Sequence, residues 1–483
     1  MNHEKKARIK NLSTYVCLAV LTLTADKSVA LSTAEVEQRL QMLEKQRALD
    51  QAEIMRLKQE LQTVTRQPNV NGTNAKLEDR LSNLERKAKS QSSAVNTINR
   101  RMHDIASHAK VNGFISAYGV RAAEPVDTSG LGIGTDMQFN TDSRAGIQVD
   151  YNVSPRVDAV LQFVARGYED FKVNDEWAFV RLKATNNLFV RMGRLRLPFY
   201  MYSESLDVGY TYPWVRPPID VYLRTITNYD GIDMLYSFPI GDWAHNVQLL
   251  YGALNYKVRY GGMNTKGRNV PFTDNDEKGL VWTASYDAWT LRAGYFHGQN
   301  LAFVDAGKAQ KNTIDIGYSP DTLQYYVAGI KYETEKWLVV SEYTHYVPGD
   351  HLPFSGEQAF YLGVGYHFSK LMPFVTYGKA YSDKADETWE GIKFPPDIIA
   401  QFSSVIPRYQ QQSVTLGIRY DLDSGVALKA EVAKYSNFNG TPGNFDVEKE
   451  DLGNGNSRLD PNELKRLDRD GQAIFSVGVD AVF

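Results

Sequence analysis

Charged side chains crowd one part of this 483-residue sequence. The stretch "RMGRLRLPF" carries Arg191, Arg194 and Arg196, and the polar segment 200–228 after it brings Glu204, Asp207 and Asp220 together with Arg216 and Arg224. Pro213, Pro217 and Pro218 restrict the backbone of that segment, so it is built to hold a shape. The chemistry open to such a set is electrostatic. The charges can pair with one another and pin the segment to a wall. Alternatively, with acids on one flank of a narrow passage and bases on the other, they can impose a transverse field that orients dipolar solutes and sorts ions by charge.

Other chemistry is thinly supported. The histidines His245, His297, His345, His351 and His367 show no spacing that pairs them with a nucleophile. Near the end of the chain, "LGNGNSRLDPNE" offers Asn454, Asn456, Asp460 and Glu463 at the ligand spacing of a calcium loop. Leu452 stands where the first aspartate belongs and Ser457 where the turn glycine belongs, so a solvated polar loop is the stronger reading, and no metal or cofactor is expected. Cys17 is the lone cysteine and falls within a segment read as cleaved. The mature chain would therefore hold no disulfide and no cysteine chemistry.

That segment sets the compartment. Lys5, Lys6, Arg8 and Lys10 precede the apolar run "YVCLAVLTLTA", and "SVA" ends at Ala30, which is the order of a secretory signal peptide over 1–30. Its removal moves the formal charge from −3 to −6, with 49 Lys and Arg against 55 Asp and Glu, which gives no support for nucleic-acid binding. Residues 31–110 carry two heptad frames, in helices expected over about 33–66 and 75–109, broken by Pro68 and Gly72. They read as a coiled coil with Arg47, Asp50 and Gln91 at core positions, and the same pattern also fits one helix folding back on the other.

From Gly113 the period becomes two. Sixteen stretches of roughly ten residues run to Phe483, with short links such as "SP", "GD" and "DSG" alternating with long polar segments such as 200–228, 255–277, 382–409 and 439–472. Short connections on one side and long ones on the other are the asymmetry of a transmembrane β-barrel. The fold class expected is therefore an all-β barrel of about 16 antiparallel strands over 113–483, preceded by an α-helical segment. In "QQQSVTLGIRYDL", Val414, Leu416, Ile418, Tyr420 and Leu422 alternate with Thr415, Arg419 and Asp421, which suits lipid outside and water inside. The fourth, ninth and eleventh stretches alternate poorly, and their registers stay open.

In pattern and in two motifs, residues 113–483 resemble the trimeric sixteen-stranded porins of Gram-negative outer membranes. "VGVDAVF" is similar to their terminal assembly signal, and "RMGRLRLPF" to the strand leading into their constriction loop. The helical segment resembles the layout of some dicarboxylate-type porins.

The resemblance implies passive diffusion of small hydrophilic solutes, a homotrimer in outer-membrane lipid, and recognition of Phe483 by the barrel-assembly machinery. It also implies a periplasmic helical segment and a constriction built by loop 200–228. Strict alternation places Arg191 opposite Arg194 and Arg196, so all three share a face only if a bulge near Gly193 shifts the register. A lipid-facing arginine at the midplane costs about 2 to 4 kcal/mol, so Arg194 and Arg196 are expected to face the pore. Arg166, Lys331, Arg419, Lys429 and Glu431 are further candidate lumen charges. Two other readings use the same features: a structural protein tethering the membrane to the cell wall through its helices, and an outer-membrane hydrolase.

Overall fold

The structure is a computed structural model. It describes residues 33–64, 76–90, 93, 108–124, 127–128, 133–222, 227–259, 269–299, 301–304, 314–315, 322–349, 356–382, 410–441, 443, 445–446, 449–453, 456–459 and 461–483.

Two helices make up a first unit. Helix α1 (Thr33–Val64) and α2 (residues 76–90) are cross-linked by Lys58–Glu85 at 2.8 Å, Arg80–Glu53 at 3.1 Å and Lys87–Asp50 at 3.6 Å. Among the described side chains of this pair, Leu57 and Asp50 are buried. These pairs lie within one chain, as in the reading of one helix folded back on the other, and Asp50 is buried at the core position that the heptads gave it.

The second unit is a closed antiparallel sheet. Its strands are β1 (Ala109–Ala122), β2 (Arg144–Ser154), β3 (Val157–Arg166), β4 (Val173–Lys183), β5 (Leu188–Arg196) and β6 (Asn228–Ile240). Then follow β7 (Trp243–Arg259), β8 (Asn269–Tyr286), β9 (Trp289–Gln299), β10 (Thr322–Glu333) and β11 (Trp337–Val347). The last are β12 (Glu357–Tyr366), β13 (Leu371–Ser382), β14 (Gln410–Asp423), β15 (Val426–Ser436) and β16 (Gln472–Val482). Each pairs with the next, and β1 pairs with β16 from Phe114↔Val482 to Ala122↔Ile474, so no edge is left open.

Strand β1 begins at Ala109, where a helix was expected. Segment 255–277, expected as a loop, is largely the paired ends of β7 and β8, which run on to Arg259↔Asn269. Segment 439–472 holds a short hairpin, Lys449–Gly453 with Asn456–Leu459, and helix α3 (Pro461–Asp470). One end of the barrel has tight turns, such as Gly241-Asp242 between β6 and β7, where Gly241 takes φ +58°. The other end has the longer connections, although β3 and β4 are joined by only 167–172.

Outward positions carry apolar side chains in quantity. Met192, Leu249, Leu416, Ile418 and Val477 are each exposed by 47% or more, an outer surface that fits hydrocarbon and would not suit water. Aromatic rings gather on this face toward the tight turns: Trp243 with Tyr286, Trp289 with Tyr332, and Trp337 with Tyr366 lie 4.6 to 5.6 Å apart. A second row, Tyr295, Tyr326, Tyr343 and Tyr377, lies toward the opposite end. Among the described residues no helix is long and apolar enough to cross a membrane.

Candidate functional site: the loop inside the barrel

Residues 197–222, in the connection from β5 to β6, turn into the barrel. Phe199, Tyr200, Tyr202, Tyr212, Trp214 and Val221 are buried, and they pack on inward-facing Phe296, Tyr325, Val340 and Tyr361 of β9 to β12. The wall is cut to receive them. A methyl group on Gly329 would come within 3.0 Å of Met201, one on Gly363 within 3.0 Å of Trp214, and one on Gly378 within 2.3 Å of Asp220. The Trp214 indole donates to Thr376 Oγ1 at 2.7 Å. Glu342 of β11 accepts from the Met201 amide at 2.7 Å and from the hydroxyls of Tyr222 and Tyr361 at 2.5 and 2.8 Å.

Guanidinium groups hold the first half of the loop. Asp207 accepts two bonds from Arg166, both at 2.7 Å, and one from Arg196 at 2.6 Å. Glu176 joins them, 2.7 Å from Arg166 and 3.2 Å from Arg196. Arg144 donates to the Asp207 carbonyl at 2.8 Å and to the Tyr212 hydroxyl at 2.5 Å. Burial by itself would raise the Asp207 carboxyl, but Arg166 and Arg196 outweigh it and hold the group well below the usual carboxylate range. Arg191 makes a two-pronged pair with Asp233 at 2.9 and 2.6 Å and reaches Glu204 at 3.3 Å. The Glu204 side chain is 54% exposed, so this loop carboxylate keeps water.

The second half is held differently. Asp220 is buried and accepts from Gln411 Nε2 at 2.7 Å and Ser413 Oγ at 2.5 Å, neither of them charged. Burial pushes its carboxyl above the usual range, against the pull of those two bonds. Arg216 pairs with Asp142 through two nitrogens and donates to Ser476 at 3.0 Å. Lys429 donates to the carbonyls of Gly209 and Trp214 at 2.6 and 2.8 Å and pairs with Asp480 at 2.7 Å. Arg419 donates to the Tyr210 carbonyl at 2.7 Å, and Glu431 accepts from the Val215 amide at 2.9 Å.

The structure therefore gathers Arg166, Arg191, Arg196, Glu204, Asp207, Arg216, Asp220, Arg419, Lys429 and Glu431 around one loop. Arg194 is elsewhere. It shares the outward face of Met192 and pairs with Asp175 at 3.2 Å and Asp230 at 3.9 Å, both about half exposed. Pairing runs through Gly193 without a shift, so the bulge expected there is absent; Gly193 takes φ +135° with the Ala178 carbonyl against it. The register break lies on β4, between Asp175 and Trp177, and it carries Glu176 into the arginine cluster. Lys331 pairs with Glu333 at 2.7 Å. The Phe483 amide donates to the Gly113 carbonyl, and its ring is 72% exposed.

Arg224, Asn454, Asp460 and His351 lie outside the described residues. Asn456 falls in the short hairpin and Glu463 in α3. Among the described residues no cluster of His, Cys, Asp or Glu could hold a metal ion. Sequence reasoning missed Asp142, Arg144, Glu176, Asp233 and Glu342. The readable signal was a single carboxylate inside an apolar strand, as in "WLVVSEYTHYV".

No protein-family model matches the sequence, and no curated protein matches it. The chain is similar to several solved structures, each covering 78% of it. OmpT, an outer membrane protein of Vibrio cholerae, is 13% identical over 97% of its own length, with a TM-score of 0.46. The anion-selective porin from Comamonas acidovorans is 13% identical over 99%, with a TM-score of 0.45. The outer membrane channel DcaP of Acinetobacter baumannii is 11% identical over 97%, also at 0.45. The pairing of its own strands establishes the architecture. The chain forms a sixteen-stranded antiparallel β-barrel.

Proposed function

We propose that the protein is an outer-membrane channel of the porin class, through which small hydrophilic solutes or ions diffuse passively past the inner loop, with no chemical step. The observation that carries this reading is the closed barrel with an apolar outer surface and a charged loop seated inside it. Lipid can accept the first, and water must reach the second. The helical unit belongs to the periplasmic side in this reading, and the assembly is a homotrimer.

The pairing pattern refines the constriction. Arg166, Arg196, Arg216 and Asp207 neutralise one another or their wall partners, so they position the loop. Selectivity then falls to the charges that keep water, above all Glu204 with Arg191 behind it, and to Arg181 and Asp158, paired at 2.9 Å and partly exposed. Single-channel recording in planar bilayers, with liposome swelling across a size series of sugars and dicarboxylates, tests the reading. Stepwise conductance and a size cut-off are expected. A folded barrel that neither conducts nor swells liposomes overturns it.

A further inference from the structure

The lipid-facing surface beside the seam between β16 and β1 is not uniform. Paired residues form two outward rows across β14, β15, β16 and β1: Ile418–Ala430–Val477–Gly119, and next to it Leu416–Val432–Phe475–Arg121. In the first row the small residues Ala430 and Gly119 alternate with large ones. Met137 and Phe139 rise over Gly119, so that a methyl group there would sit 3.1 and 2.9 Å from them. The result is a groove of about 610 Å³ with almost wholly apolar walls.

Cations stand at the end of this groove nearer the long connections. Arg121 is exposed on a hydrocarbon-facing surface and has no hydrogen bond or ion pair among the described residues. Lys434 is exposed one row further out, beside Ala473. Its ammonium donates to the carbonyl of Asp470, whose carboxylate is already held by Arg469 at 2.7 Å. Two strand spacings and one pleat repeat separate the two cations, about 12 Å between their Cα atoms, within joint reach of one phosphate.

We propose that this surface binds one acylated, phosphorylated lipid, with an acyl chain in the groove over Ala430 and Gly119 and its phosphate between Arg121 and Lys434. Charge complementarity selects the occupant. An unpaired arginine on a lipid-facing strand is costly unless an anion meets it, and the anion available at that depth is a headgroup phosphate. The proposal rests on the outer-membrane reading for which leaflet supplies the lipid, but the site itself does not depend on conduction.

Protein extracted from outer membranes in mild detergent is analysed by native mass spectrometry. It is then exchanged in nanodiscs against a synthetic diacyl phosphomonoester lipid and its dephosphorylated analogue. One phosphorylated lipid per barrel is expected to survive extraction. Arg121→Gln and Lys434→Gln should each weaken retention roughly fivefold, and Ala430→Phe should abolish it with no change in charge. Heat-modifiable electrophoretic mobility reports folding, and if Ala430→Phe does not fold, the two charge variants decide.

Equal retention in wild type and variants, or equal retention of the dephosphorylated lipid, overturns the proposal. So does an Ala430→Phe variant that dissociates an oligomer while its lipid content stays unchanged, which gives the groove to a second copy of the chain. Conductance should be unaltered in all three variants. A wild-type barrel that holds the lipid yet does not conduct would overturn the channel reading alone.

Discussion

Asp207 and Asp220 sit on the same loop, both buried, and the barrel meets them in opposite ways. Asp207 is surrounded by charge: two guanidinium groups on its carboxylate and a third on its backbone carbonyl. Asp220 is met by an amide and a hydroxyl, with Gly378 clearing the space. A buried ion pair adds little net stability over an apolar substitute, but removing one partner strands the other. The first half of the loop is thus held by contacts that fail badly when broken. Asp220 is held by shape and neutral hydrogen bonds, which lose less, although the same half of the loop also carries the buried Arg216–Asp142 pair.

Substitutions test this contrast. Asp207→Ala leaves Arg166 and Arg196 short of a partner and should cost about 3 to 5 kcal/mol, read as a lowered urea midpoint in lipid vesicles. A loss near zero would show that water replaces the carboxylate and that the arginines are not truly buried. Next in size, Arg191→Ala frees both Asp233 and Glu204 and should move the reversal potential toward cation preference in bilayers under a salt gradient. An unchanged potential removes this pair from the selective site.

Asp220→Asn keeps the hydrogen-bonded shape and relieves a desolvated charge, so its effect should lie within about 1 kcal/mol and can be stabilising. The two carboxylates also differ in pH response. The lowered pKa of Asp207 adds stability that is present above the unfolded value near ~3.9 and is lost as pH falls through the lower folded value. The raised pKa of Asp220 works the other way: stability rises as pH falls from its folded value toward the unfolded one. Asp220→Asn should remove that rise, and an unfolding profile in which it persists would assign the rise to another group. The smallest effect is expected for Arg194→Ala, whose exposed pairs contribute about 0 to 1 kcal/mol, with no change in selectivity. A selectivity shift there would place Arg194 in the water path after all.

The barrel itself was legible because lipid and water impose a period of two on most strands. The strands that resisted have physical reasons. The break at Glu176 interrupts alternation on β4. On β11, Val340 faces inward against the buried cluster of the inner loop and Leu338 is buried on the same face, so both faces read as apolar. The site was legible in membership more than in geometry. Arg191, Arg196, Glu204, Asp207, Arg216 and Asp220 stand out as charges in one segment, but their partners Asp142, Asp233 and Glu342 are distant in sequence. The assignment of Arg194 turned on a one-residue register question: a glycine with positive φ in β5 leaves the alternation intact as far as Leu195, whereas a bulge would have reversed it, and Arg196, of the same parity as Arg194, joins the cluster from the last position of the strand.

The seam has a consequence for the order of folding. Ser116 and Tyr118 of β1 both donate to Asp480 of β16 at 2.6 Å, and Asp480 pairs with Lys429, which in turn grips the loop carbonyls of Gly209 and Trp214. The first and last strands therefore supply the final links of a chain that ends on the loop. While the sheet is still open, Lys429 lacks the arrangement that aims it at those carbonyls, and the loop cannot complete its seating. A fully seated loop therefore requires a barrel closed in the right register.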